Sequence, residues 1–63
     1  MTLHEFLEQV SEEQDTQLII ESLGAVNSEA SILLSVLDEQ VLGAKMVGIA
    51  AEDGCLKAWV RPK

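Results

Sequence analysis

Gln17-Leu18-Ile19-Ile20-Glu21-Ser22-Leu23-Gly24 is the stretch on which the fold turns. Read locally, it admits two structures. Ser11-Glu12-Glu13-Gln14 just upstream has the form of a capping box, and Leu23-Gly24 has the form of a helix end with glycine at C′. Together they predict a helix over 12–23. Two consecutive isoleucines favour a strand instead, because β-branched side chains pack well on a pleated surface, and 17–21 would then be a short buried strand. The local signals favour the helix over 12–23.

Upstream, Thr2-Leu3-His4-Glu5 is a capping box followed by Leu3, Phe6, Leu7 and Val10 at helical spacing. This predicts a first helix over 3–11 with Glu5, Glu8, Gln9 and Glu12 on its polar side. Its apolar stripe does not run in phase onto Leu18 and Ile19, so a break near 11–15 is required. Downstream, Asn27 or Ser28 caps a helix over 28–42. Ala30, Leu33, Leu34, Leu37 and Val41 share one face of it, and Gly43 closes it.

The tail reads as a hairpin. Asp53-Gly54 lies between two alternating runs, the usual signature of a two-residue turn. Strands over 45–51 and 55–61 then pair Ala51 with Leu56, Ile49 with Ala58 and Val47 with Val60 on a core face. The opposite face pairs Ala50 with Lys57, Gly48 with Trp59 and Met46 with Arg61. The expected fold is α+β, a single domain over 1–63 with two or three helices and then a hairpin.

That order resembles a winged-helix domain, through Leu18-Ile19-Ile20-Glu21-Ser22-Leu23-Gly24, then Asn27 to Leu37, then the hairpin as wing. The resemblance implies a recognition helix whose exposed residues are Glu29, Ser31, Ser35, Asp38, Glu39 and Gln40. None is basic, and cations neutralising phosphate supply much of the affinity for DNA. A winged helix of this kind would bind protein instead. An acidic first helix followed by Gln17-Leu18-Ile19-Ile20-Glu21-Ser22-Leu23 is also similar to the phage uracil-DNA glycosylase inhibitors. That resemblance implies a DNA mimic, with carboxylates in place of phosphates. One hairpin is less β-structure than that family uses.

Charge says more than composition. The chain has 63 residues and a net charge of −7. Residues 1–43 hold nine carboxylates and no Lys or Arg, while Lys45, Lys57, Arg61 and Lys63 all fall in the tail. Such segregation speaks to partners. Glu5, Glu8, Glu12, Glu13 and Asp15 are the candidate acidic row, since helical carboxylates three or four residues apart lie about 5–6 Å from each other. The alternative is an ordinary solvated helix face. Trp59 with Met46 and Arg61 is the candidate hot spot, because Trp and Arg are enriched at binding centres and Met adapts to varied surfaces. The alternative is that the first helix covers Trp59 and makes it core.

Other chemistry is absent from the pattern. Cys55 and His4 are single residues, so neither a disulfide nor a Cys/His zinc set is available. Glu12-Glu13 and Asp38-Glu39 are adjacent on their helices and do not face each other. No cofactor and no metal is expected. The opening residues lack a basic region and an apolar run of secretory type, and Ile32-Leu33-Leu34 is far too short to span a bilayer. With one unpaired cysteine, this points to the cytoplasm. A core this small favours association, for example a homodimer whose hairpins join into a four-stranded sheet.

The function expected from these features is a small acidic non-enzymatic regulator. It would bind a protein partner through a basic or apolar surface, as an inhibitor of a nucleic-acid-binding protein by DNA mimicry. The alternative is a winged-helix transcriptional regulator that touches DNA with its basic hairpin. Nucleic acid and membrane are otherwise not expected as partners.

Overall fold

A computed structural model describes residues 1–62. Lys63 lies outside the described residues. The chain is α+β, and its elements are α1 (Leu3–Gln9), β1 (Asp15–Ile20), β2 (Gly24–Glu29), α2 (Ala30–Val36), α3 (Glu39–Leu42), β3 (Lys45–Glu52) and β4 (Cys55–Arg61). The four strands form one mixed sheet in the order β2-β1-β4-β3. Its two central strands, β1 and β4, run parallel, and each is flanked by its antiparallel hairpin partner.

The capping box at the start of α1 is present. The Glu5 amide donates to Thr2 Oγ1 at 3.2 Å, and the Thr2 amide donates to Glu5 Oε1 at 3.0 Å. The helix ends at Gln9, two residues short of the expected boundary. It is anchored from outside as well. The Leu3 amide donates to the Ala44 carbonyl at 3.0 Å and the Met46 amide to the Met1 carbonyl at 3.1 Å. Met1–Leu3 therefore lies along the outer edge of β3 at its first residues.

The expected helix over 12–23 is not formed. Ser11 to Gln14 is a tight turn closed by the Gln14 amide on the Ser11 carbonyl, and Asp15–Ile20 is β1. Alternation decides it: Thr16, Leu18 and Ile20 are buried, whereas Gln17 and Ile19 are half-buried. A central strand contacts neighbours on both edges, and Ile19 and Ile20 suit that position. Gly24 is not a helix cap. It enters β2 with φ +107, after a turn in which Ser22 is left-handed at φ 75. The second helix that the winged-helix resemblance draws on is therefore replaced by β1 and β2.

The helix over 28–42 is two helices. Residues 24–29 are β2, and Glu29 precedes α2 without making a side-chain cap. Leu37 is extended at ψ 144, and the Asp38 carboxylate accepts from the Val41 amide at 2.9 Å, starting α3. An Asp ready to cap favours such a restart. The apolar face keeps its role across the break. Ala30 and Leu33 are buried, and Leu34, Leu37 and Val41 pack beside them.

The hairpin stands as expected near its turn, with Asp53 at φ 51 and Gly54 at φ 77. Ala51 opposes Leu56, Ala50 opposes Lys57, Ile49 opposes Ala58 and Gly48 opposes Trp59. A bulge between Met46 and Gly48 then shifts the register. Met46 pairs with Val60 and Lys45 with Arg61, in place of Val47 with Val60 and Met46 with Arg61.

The core is one layer. Leu3, Phe6 and Leu7 of α1 and Ala30 and Leu33 of α2 pack with Leu18, Ile20, Ala58 and Val60 of the sheet. The helices thus cover a single face. Within the chain, β1 occupies the edge of β4 that faces away from β3, so the hairpin has only its β3 edge open.

Candidate binding surfaces

Two surfaces follow from this one-sided layering: the solvent side of the helical layer and the bare face of the sheet.

The helical side is acidic. Glu5 and Glu8 project from α1, Glu12 and Glu13 from the turn after it, and Asp38 and Glu39 from the start of α3, all of them exposed. The ending of α1 at Gln9 changes the expected row. Glu5 and Glu8 share helical spacing, whereas Glu12, Glu13 and Asp15 do not continue it. Glu5 is also committed locally. Hydrogen bonds from the Thr2 amide, then from its hydroxyl, hold the Glu5 carboxyl below the usual carboxylate range. Glu8 meets His4 Nε2 at 3.4 Å. No Lys or Arg occurs anywhere in residues 1–44 to offset these charges.

The bare sheet face is built by register. Ala25, Ile19, Trp59 and Gly48 form one row across the four strands, and Asn27, Gln17, Lys57 and Ala50 form the next. Among the described residues no helix covers this face. Trp59 sits half-buried here, away from α1, with a Cβ placed on Gly48 lying 3.5 Å from its ring. The indole covers the glycine backbone, as the pairing predicts. Asp15 and Arg61 belong to this face, at opposite ends of their strands.

Met46 does not join them. The bulge turns it to the helix side, where it packs against the core. Of the three residues expected as a hot spot, the bare face keeps Trp59 and Arg61, and Ile19 lies beside Trp59 there, unseen while 12–23 is taken as helix. A strand reading would have found it, because parallel pairing sets Ile19 beside Trp59.

Two cations of this face, Lys57 and Arg61, are engaged, while Lys45 beside Arg61 is exposed and outside the ion pairs formed among the described residues. Lys57 Nζ meets Glu52 Oε2 at 3.1 Å. Arg61 Nε donates to Glu21 Oε2 at 2.8 Å, and this contact raises the guanidinium pKa above its usual value. Cys55 is half-buried at the turn, with its thiol 3.7 Å from the Leu56 carbonyl. Among the described residues no cluster of His, Cys, Asp and Glu is suited to a metal, and no helix is long and apolar enough to cross a membrane.

Searches against protein-family models, curated proteins and solved structures find no match for this chain.

Proposed function

We propose that this chain is a small non-enzymatic regulator that binds a protein partner through its acidic helical side. One observation carries the reading: six exposed carboxylates, Glu5, Glu8, Glu12, Glu13, Asp38 and Glu39, stand on or beside a layer that contains no Lys or Arg. Opposite potentials steer and orient association. The partner surface is basic, of the kind that proteins use to hold phosphate. Occupying such a surface would block a nucleic-acid-binding protein. The shifted groups Glu5 and Arg61 owe their shifts to surface pairing, not to a desolvated cleft, which favours binding over catalysis.

The DNA-binding alternative draws less support, because Lys57 and Arg61 of the hairpin are already held by Glu52 and Glu21. Phosphate would have to displace both carboxylates.

The test is capture from host lysate with wild type beside a Glu8→Gln, Glu12→Gln, Glu13→Gln variant. These side chains are exposed, so the variant should fold. A protein recovered by wild type and lost by the variant supports the reading. Equal recovery by both contradicts it, as does retention of duplex DNA by the wild type in a low-salt gel shift.

A further inference from the structure

We propose that the chain forms a homodimer by antiparallel pairing of two β3 edges, which joins two four-stranded sheets into one of eight strands. β3 is an edge strand of eight residues with no proline. An edge left open in this way is a template for another strand, and proteins ordinarily blunt it.

The register of the hairpin says which part of the edge is open. Glu52 and Cys55 flank a two-residue turn and so exchange backbone hydrogen bonds. Hydrogen-bonded and non-bonded pairs alternate from there. Ala50 and Gly48 turn their backbone groups towards β4, while Ile49 and Ala51 turn theirs away from the sheet. Beyond the bulge, the Met46 amide is already taken by the Met1 carbonyl, and Thr2 bridges Lys45. The free edge is thus the segment between the bulge and the turn, with four backbone groups on Ile49 and Ala51 that meet no partner among the described residues.

The side chains of this segment also lack cover. Ile49 and Val47 are each 51% exposed. Ile49 opposes Ala58 on the helix side of the sheet, yet the helical layer does not shield it.

The occupant is a second copy because the strand is complementary to itself. With a two-fold axis at Ala50, Ile49 meets Ala51 of the second copy, and the four free backbone groups of each edge are satisfied. Ala50 meets Ala50 of the second copy on the bare face. Gly48 meets Glu52 of the second copy. Lys45 follows Gly48 on that face, so it lies diagonal to this Glu52, where it would join Lys57 of the second copy on the same carboxylate. The pairing ends where Met1–Leu3 begins. The other edge, β2, is Gly-Ala-Val-Asn-Ser-Glu and offers no cation to pair with Glu29. In this dimer both acidic helical sides stay free.

Sedimentation velocity from micromolar to millimolar concentration, with amide hydrogen exchange at each end of the range, tests the proposal. The expected result is a reversible dimer in which the Ile49 and Ala51 amides exchange about tenfold or more slower than in the dilute monomer, since only pairing protects them. Ala51→Pro removes an edge N–H that the hairpin does not use, and should leave a folded monomer. Ile49→Lys should do the same by placing a charge on the edge. A chain that stays monomeric at millimolar concentration overturns the proposal. So does a dimer that survives both substitutions, or one abolished by Trp59→Ala alone, which would place the contact on the bare face.

Discussion

Thr2 and Gln14 show how single side chains hold this small fold. Thr2 caps α1 through its hydroxyl, and Thr2→Ala should cost about 1 kcal/mol in chemical denaturation, the usual loss for a removed N-cap. The other half of the box makes a pH prediction. Thr2 holds Glu5 ionised, so its folded pKa lies below its unfolded one. The stabilisation is present above the ordinary glutamate pKa and is lost as pH falls through the depressed value. The destabilisation caused by Glu5→Gln should therefore shrink as the pH is lowered, and denaturation at neutral and acid pH checks it. Gln14 ties β1 to the distant turn by donating from Nε2 to the Asp15 carbonyl at 2.9 Å and the Gly54 carbonyl at 2.8 Å. The capping box was legible because both its partners lie within four residues. The Gln14 clamp was not, because Gly54 is forty positions away.

At the scale of elements, legibility followed the range of the interactions. The β3–β4 hairpin was readable down to individual pairs, since Asp53-Gly54 sets the turn and alternation sets the register. The bulge that moved Met46 off the Trp59 face left no local mark. β1 was misread because its stabilisation is non-local. Leu18 and Ile20 are buried by α1, α2 and the parallel partner β4, while the nearby Ser11 and Gly24 imitate helix ends. β2 was missed because Gly-Ala-Val-Asn-Ser-Glu has little strand propensity and is mostly exposed. A graded prediction separates strand from helix at 17–20. Leu18→Ala should cost about 2–5 kcal/mol as a fully buried side chain, and Ile19→Ala distinctly less, measured by urea unfolding. A helical segment would not alternate in this way. At the turn, Gly54→Ala should destabilise by about 1 kcal/mol, because φ is +77 there.

Over the whole molecule, one-sided layering and segregated charge coincide. The acidic front of the chain supplies all the helices, and the cationic tail supplies two strands whose Lys57 and Arg61 are neutralised by Glu52 and Glu21. The charge asymmetry was legible from residue positions alone, but its geometry was not, because the row expected along one long helix ends with α1 at Gln9. We propose that this side, which carries no Lys or Arg, recruits a basic partner. The most direct test is the affinity for the captured partner measured across a salt series, for wild type and for the Glu8→Gln, Glu12→Gln, Glu13→Gln variant. Exposed charges are screened within about 10 Å at 0.1 M salt. Wild-type affinity should fall steeply with salt, and the variant should show a shallower slope. Affinity indifferent to salt, with superimposable curves for the two proteins, would contradict the proposal.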